Sequence, residues 1–383
     1  MKEQILPTVK DIKNLKGKRV VLRLDFNVPI KNGRIVETMR IDRAIPTIEY
    51  LRKKKARIVI FSHIGKDASS SLKPVAQYLS KTMNVGFVPD FRTDEARAIA
   101  ECLPEGGVVL FENLRLDDLE TKNDPAFAKY LASFGEVYVN DAFAVSHRAH
   151  ASVVGITKYL PSYAGLLIAD EIKNLSLALK PKHPFLFILG GAKFETKMPL
   201  MKKFMKIADK VFVGGILAND FFHDMGIETG KSFVDKYNFK LTPLLKNGKI
   251  ILPTDVVVKN GDGIKTSVKN LSAILSGDSI VDVGPETIKN LSPILKKAKL
   301  IVWNGPLGYY EGGFDKATIA LLKAITETRA TSIIGGGDSA VIVEKLGVAK
   351  KLSFVSTGGG ATLDYLSDGK LLGIEAILKC KKR

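Results

Sequence analysis

The sequence predicts an α/β protein with two parallel β-sheets covered by helices, and three observations carry that expectation. Short apolar runs alternate with helix-period segments along the chain, the pattern of βαβ units. Roughly ten such runs occur, which suits two sheets better than one. At 383 residues the chain also exceeds what one hydrophobic core usually supports, so two domains are the default.

The strands, in order, are KRVVLRLDF (18–26), RIVIFSH (57–63), GVVLFEN (107–113), EVYVNDAF (136–143), PFLFILGG (184–191), KVFVGG (210–215), KIILPTD (249–255), LIVWNG (300–305), TSIIGGG (331–337) and LSFVST (352–357). Most are near-continuous runs of Val, Ile, Leu and Phe, as strands covered on both faces must be. Between them, IDRAIPTIEYLRKKK (41–55), SLKPVAQYLSKTM (71–83) and TKMPLMKKFMKIADK (196–210) space apolar residues along one helix face. The pattern changes at KYLPSYAGLLIADEIKNLSLALKPKHP (158–184). There Pro161 and Gly165 precede a long helical segment that Pro181 and Pro184 close, and this is the expected interdomain helix.

Composition narrows the function classes. With 45% hydrophobic and 26% charged residues, the chain matches an ordinary globular protein. It has no apolar signal-peptide core and no 18-residue apolar run, so neither secretion nor a membrane span is expected. Two distant cysteines, Cys102 and Cys380, suit a reducing compartment rather than a disulfide framework. The net charge of +18 admits three readings: solvated Lys-rich helix faces, a nucleic-acid surface, or a field that draws in small polyanions. The lysines are scattered over segments such as LMKKFMKIADK and SPILKKAKL rather than gathered in one arm, which favours the first.

Ligands of open parallel sheets bind at the carboxyl ends of the strands, so the residues after each strand are the informative ones. In the first half they read RLDFN, FSHIGK, FENLR and VNDAFAVSHRAH; in the second, ILGGAK, FVGGIL, VWNGPLG, IIGGGDS and VSTGGGA. The first set offers Arg23, Arg40, His63, Lys66, Arg115, His147, Arg148 and His150 beside Asp25 and Asn27. Arg forks grip carboxylate and phosphate, while Asp and Asn suit hydroxyls. This is the chemistry of a pocket for a small hydroxylated anion. The second set offers glycines that lead into helices, where backbone amides approach phosphate at the positive end of the helix dipole. Asp338 or Ser339 is the expected N-cap of the helix after Gly335–Gly337. MGIETGKS is not a phosphate loop, because only three residues separate Gly226 from Gly230 and that loop needs four. No G-x-G-x-x-G occurs.

Taken in order, RLDFNVP, ETMRIDRA, SHIGK, ENLRL, NDAFAVSHRAHAS, LGGAKFETK, WNGPLG, GGGDSA and VSTGGGATLDYL resemble phosphoglycerate kinases across almost the whole chain. The resemblance implies two Rossmann-like domains joined by a helical hinge: residues 1–164 binding 3-phosphoglycerate, 165–370 binding nucleotide, and 371–383 returning to the first domain. It implies phosphoryl transfer between 1,3-bisphosphoglycerate and ADP with Mg²⁺, in a cytoplasmic monomer with no membrane or nucleic-acid partner. Asp25, Asn27, Arg40, His63, Lys66, Arg115 and Arg148 match the family's acid-binding positions. Lys193, Lys197, Asn304, Glu311, Gly336, Gly337, Asp338 and Ser339 match its nucleotide positions, with Asp338 associated with the metal. Arg40, Lys197, Gly337 and Gly360 match the positions around the migrating phosphoryl group.

Three departures stand out. Lys66 replaces the family's usual Arg and loses its bidentate fork; Ala144 and Val145 stand where Gly-Thr is common; and KFETK replaces KVSDK with both lysines retained. Two alternatives stay open at this point: a related kinase with an altered acid acceptor, signalled by Lys66, and a basic nucleic-acid-binding protein.

Overall fold

The computed structural model describes residues 5–65, 69–192, 194–236, 240–260 and 265–380, with the backbone alone at Asp338. The chain divides into two compact units, Met1–Lys173 with Asp368–Arg383, and Asn174–Ser367.

In the first unit the strands are β1 (Arg19–Arg23), a short hairpin of β2 (Ile30–Lys31) and β3 (Arg34–Ile35), β4 (Arg57–Phe61), β5 (Gly86–Val88), β6 (Val108–Phe111), β7 (Val137–Asn140) and β8 (Ser162–Ala164). The hairpin apart, they form one six-stranded sheet in the order β5-β6-β4-β1-β7-β8, parallel throughout. Successive side chains on a strand face opposite sides, and the sequence fills both. Val20, Leu22, Ile58, Ile60 and Leu110 pack with Ile48 and Leu51 of the helix Met39–Lys53. Val21, Val59, Phe61, Val109 and Phe111 pack on the other face with Phe127, Leu131 and Phe134. Rings of Phe61, Phe111 and Phe134 meet edge to face at 5.0–5.8 Å. Each such buried side chain contributes roughly 1.5–3 kcal/mol.

The second unit repeats the scheme. Its strands are β9 (Phe185–Leu189), β10 (Lys210–Val213), β11 (Ile250–Ile251), β12 (Asp255–Lys259), β13 (Thr266–Asn270), β14 (Ser279–Val283), β15 (Leu300–Asn304), β16 (Thr331–Gly335) and β17 (Phe354–Val355). The main sheet runs β11-β10-β9-β15-β16-β17 and is again parallel. A smaller antiparallel sheet, β13-β12-β14, lies beside it in sequence and has its own core of Phe222, Val256, Val258 and Ile274.

All ten predicted runs contain a strand. The strands that were not anticipated are short (β2, β3, β5, β8) or belong to the small sheet β13-β12-β14; in β13, TSVKN, no residue is fully buried. The two compact units divide at slightly different points from the boundaries expected for the domains. The division after Lys173 falls inside the helix Leu166–Leu179 rather than at 164/165, because the start of that helix is tied to the first unit. Leu166 N–H donates to Thr47 Oγ1 (3.1 Å) and Ile168 N–H to Asp141 Oδ1 (3.0 Å). The segment assigned to the first unit at the C-terminus also begins a little earlier, at Asp368 rather than 371. Its helix Leu372–Cys380 buries Ile374 and Ile377, and Gly373 N–H donates to Ser146 O at 2.8 Å.

Candidate active site

At the carboxyl ends of β1, β4, β6 and β7 the chain turns polar at once. Asp25 is almost fully buried. Its Oδ2 accepts from Arg40 Nη1 at 3.0 Å and its Oδ1 from Asn27 N–H at 3.2 Å. Arg40 Nη1 also reaches Asn27 O (3.0 Å), and Asn27 Oδ1 accepts from Gly65 N–H (3.0 Å). The loop after β4 is fixed by Asn113, which accepts from Ile64 N–H (3.2 Å) and donates to Ile64 O (2.8 Å). Arg115 donates to Gly65 O. Asp25, Asn27, Arg40 and Arg115 are thus joined through one web of strand-end hydrogen bonds.

The electrostatics describe a site with more positive than negative charge. Burial alone would raise the Asp25 carboxyl, but Arg40, His63 and Arg23 outweigh it and hold the group below its ordinary value. His63 is pushed down to about 3 by burial; Asp25 pulls the other way, while Arg23, Arg115 and Arg148 add to the depression. Burial, then Arg148 and Arg23, lower the Arg115 guanidinium. His150 is pushed down to about 4 by burial and the same three arginines. Four guanidiniums that depress each other's neighbours leave room for an anion. Arg148 itself is exposed. Lys66 lies outside the described residues.

In the second unit glycines occupy the corresponding strand ends. The helix Gly337–Lys345 starts from Gly336, whose φ of +102° only glycine adopts without strain, so the chain turns from β16 straight into the helix. The expected caps, Asp338 and Ser339, therefore lie within the first turn rather than at the N-cap. A second helix, Gly359–Asp368, begins alongside: a Cβ placed on Gly359 would lie 3.8 Å from the Gly337 nitrogen. Two sets of free helix-start amides are gathered in one place. Among the described residues, two buried donors nearby lack partners, Asn304 Nδ2 and the Ser339 hydroxyl; a Cβ on Gly336 would sit 3.5 Å from that Asn304 nitrogen. Unpaired buried donors are costly, and an anion would satisfy both.

Lys197 is buried on the helix Phe194–Ile207 and its Nζ donates to Gly190 O, beside Gly191 and Gly305. A cavity of about 130 Å³ opens between Gly191, Gly215, Val256, Val281, Leu307 and Glu311. It is mostly apolar, with Glu311 among its lining residues. Lys193 lies outside the described residues, as does the Asp338 side chain.

Sequence reasoning did not single out Glu120 and Ser152, which are fully buried beside the arginines. Ser152 closes the NDAFAVSHRAHAS stretch and could have been flagged on that ground. Glu120, in DDLETKND, reads as a solvated helix turn and carried no signal.

A family model described as phosphoglycerate kinase matches residues 9–370. The chain is 43% identical to a phosphoglycerate kinase of Staphylococcus aureus (strain bovine RF122 / ET3-1), with 95% of this chain and 97% of that one covered. It is 40% identical to one of Wolbachia pipientis wMel, with 98% and 99% covered. Among solved structures, phosphoglycerate kinase from Coxiella burnetii superposes with a TM-score of 0.83 at 36% identity, covering 99% of this chain and 100% of that one. The enzyme from Pyrococcus horikoshii OT3 gives 0.86 at 30% identity, covering 98% and 99%.

Proposed function

The chain belongs to the phosphoglycerate kinase family and is a phosphotransferase with a carboxyl acceptor, and from that premise we propose a division of labour between its two units. The reaction moves a phosphoryl group between 1,3-bisphosphoglycerate and ADP, giving 3-phosphoglycerate and ATP. The observation that carries the division is the contrast between the two sets of strand ends. One presents guanidiniums around Asp25 and Asn27; the other presents helix-start amides and unpaired buried donors.

In this reading the first unit holds the acid. Asp25 and Asn27 take the hydroxyl and carboxylate, His63, Arg115 and Arg148 the remote phosphate, and Arg40 the migrating group. The apolar cavity holds the nucleotide base, Glu311 the ribose, and the amides of Gly337 and Gly360 the phosphates. Towards ATP the nucleophile is a carboxylate, ionised at neutral pH since its pKa is near 4, so no general base is required. What the chain supplies is alignment and charge: Arg40 and Lys197 on the equatorial oxygens, together with preorganised N–H groups.

Magnesium enters as the companion of the nucleotide. No cluster of three or more His, Cys, Asp or Glu suited to a metal exists among the described residues. One carboxylate plus phosphate oxygens and water is an ordinary magnesium set, and Asp338, in the first turn of its helix, is the carboxylate offered. When bound, the ion would neutralise phosphate charge.

Transfer requires both ligands to meet with water excluded, and we place the motion at the helix Leu166–Leu179, which passes from one unit into the other. A monomeric, cytoplasmic enzyme completes the reading; no helix among the described residues is long and apolar enough to cross a membrane. The test is a coupled assay with ATP, Mg²⁺ and 3-phosphoglycerate against other phosphorylated acids. Faster turnover on another acid would overturn the acceptor assignment.

A further inference from the structure

Beneath the acid-binding face lies a set of fully buried polar groups that the mechanism above does not use. Glu120 is 1% exposed, Arg23 1% and Ser152 0%. Ser152 N–H donates to Glu120 Oε2 at 2.9 Å and the Ser152 hydroxyl to Glu120 Oε1 at 2.6 Å. The same hydroxyl accepts from Arg23 Nε at 2.8 Å. Tyr138 OH donates to Ser152 O at 2.6 Å, and Ala151 N–H donates to Glu120 O at 2.9 Å. Ser152 is therefore fixed through its N–H, its carbonyl and both roles of its hydroxyl. Arg23 is fixed in turn, since Nη1 donates to Leu24 O. Its remaining nitrogen, Nη2, lies 3.2 Å from His63 Nδ1.

That last contact has only one sense. A guanidinium carries donors and no acceptor, so His63 Nδ1 must accept, and the ring proton must sit on Nε2. A doubly protonated ring would set an N–H against the guanidinium. The surroundings agree, because burial and the arginines keep His63 neutral at pH 7.

We propose that Glu120 is a positioning residue: through Ser152 and Arg23 it fixes His63 as a neutral imidazole with Nε2–H as the donor available to the acid's phosphate. The link to the substrate rests on the assignment of the cationic face to the acid. The relay itself does not, since it is a statement about one ring and its buried neighbours. Glu120 is also the acidic partner of Arg23: burial raises its carboxyl, while Arg23, the two Ser152 hydrogen bonds and Arg115 pull it back, and the other nearby carboxylate, Asp25, is already committed to Arg40 and the Asn27 amide. A buried guanidinium that loses its partner is expected to turn away, and His63 would then be free to exchange tautomers.

The experiment labels the five histidines of the full chain with ¹⁵N and reads two-bond proton–nitrogen correlations at pH 7. His63→Gln identifies the His63 signals. In the wild type, His63 should show a protonated Nε2 and a bare Nδ1. In Glu120→Gln and in Ser152→Ala, which removes one hydroxyl and leaves the carboxylate, the two tautomers should mix. KM for 3-phosphoglycerate should rise about tenfold in both while KM for ATP stays within about twofold. The two variants serve as checks on each other should one fold poorly. An unchanged Nε2–H tautomer in the folded variants overturns the relay whatever KM does. Mixed tautomers with an unchanged acid KM, in these variants and in His63→Gln, uphold the relay and sink the acid-face assignment instead.

Discussion

Replacing Asp141 with Asn should make the protein progressively more stable than wild type as pH rises. Asp141 follows β7 and is wholly buried at the start of the helix Leu166–Leu179. Its Oδ1 accepts from Ile168 N–H, yet Oδ2 has no partner. Burial pushes the carboxyl up to about 7, against the pull of the Thr47 hydroxyl and the Ile168 and Leu167 amides. In the unfolded chain the same group releases its proton near 4. Between those values the native state holds the extra proton, so this group's contribution falls as pH rises and is most unfavourable above 7. From pH 5 to pH 8 the change amounts to about 3 kcal/mol. Asn keeps the acceptor, places an amide where Oδ2 finds nothing, and does not titrate. The gap in stability between variant and wild type should therefore widen in the variant's favour by about that amount. For a unit of this size the change corresponds to roughly 6–12 °C in Tm. Calorimetric scans of both proteins at pH 5, 6, 7 and 8 measure it; a gap that stays flat across the series, or widens the other way, refutes the reasoning.

Lys197→Ala should lower kcat by about 10²–10³-fold, the effect of losing one preorganised donor to a charged transition state, with KM for 3-phosphoglycerate nearly unchanged. Steady-state kinetics decide it, and a near-wild-type kcat removes the residue from the machinery. Asp255→Ala should destabilise the second unit by about 3 kcal/mol, combining a lost cap with orphaned buried donors. Asp255 accepts from Glu286 N–H (3.0 Å), Thr287 N–H (2.8 Å) and the Thr287 hydroxyl (2.6 Å) at the head of the helix Pro285–Lys297. Thermal unfolding should show a fall of roughly 6–12 °C; a fall below about 2 °C would contradict the capping role.

What could be read in the sequence follows from which physical patterns are local. β1, β4, β6, β7, β9, β10, β15 and β16 announce themselves because strands buried on both faces must be runs of apolar residues. The residues just past them, Asp25, His63, Arg115 and Gly336 among others, are conspicuous because polar side chains or clustered glycines interrupt those runs. The sheet β13-β12-β14 was not legible: KIILPTD looks like one strand, but it holds both β11 and the first residue of β12, and polar β13 has no fully buried residue. With it went the wall of the apolar cavity formed by Val256 and Val281, since such residues look like any other core. Glu120 is the plainest case. Four carboxylates or hydroxyls in DDLET suggest a wet surface turn, and only the fold shows that Asp117 and Glu120 are buried, Glu120 within the field of Arg23 and Arg115.

The stretch Asp368–Arg383 belongs to the unit that began the chain, and this sets a timetable for synthesis. The first unit leaves the ribosome early, yet its last helix is made only after the whole second unit has emerged. Gly373 bonds Ser146, two residues before Arg148, so the loop that carries this arginine is clasped by a helix translated only after the second unit. The second unit can therefore be complete before the first unit closes around that loop.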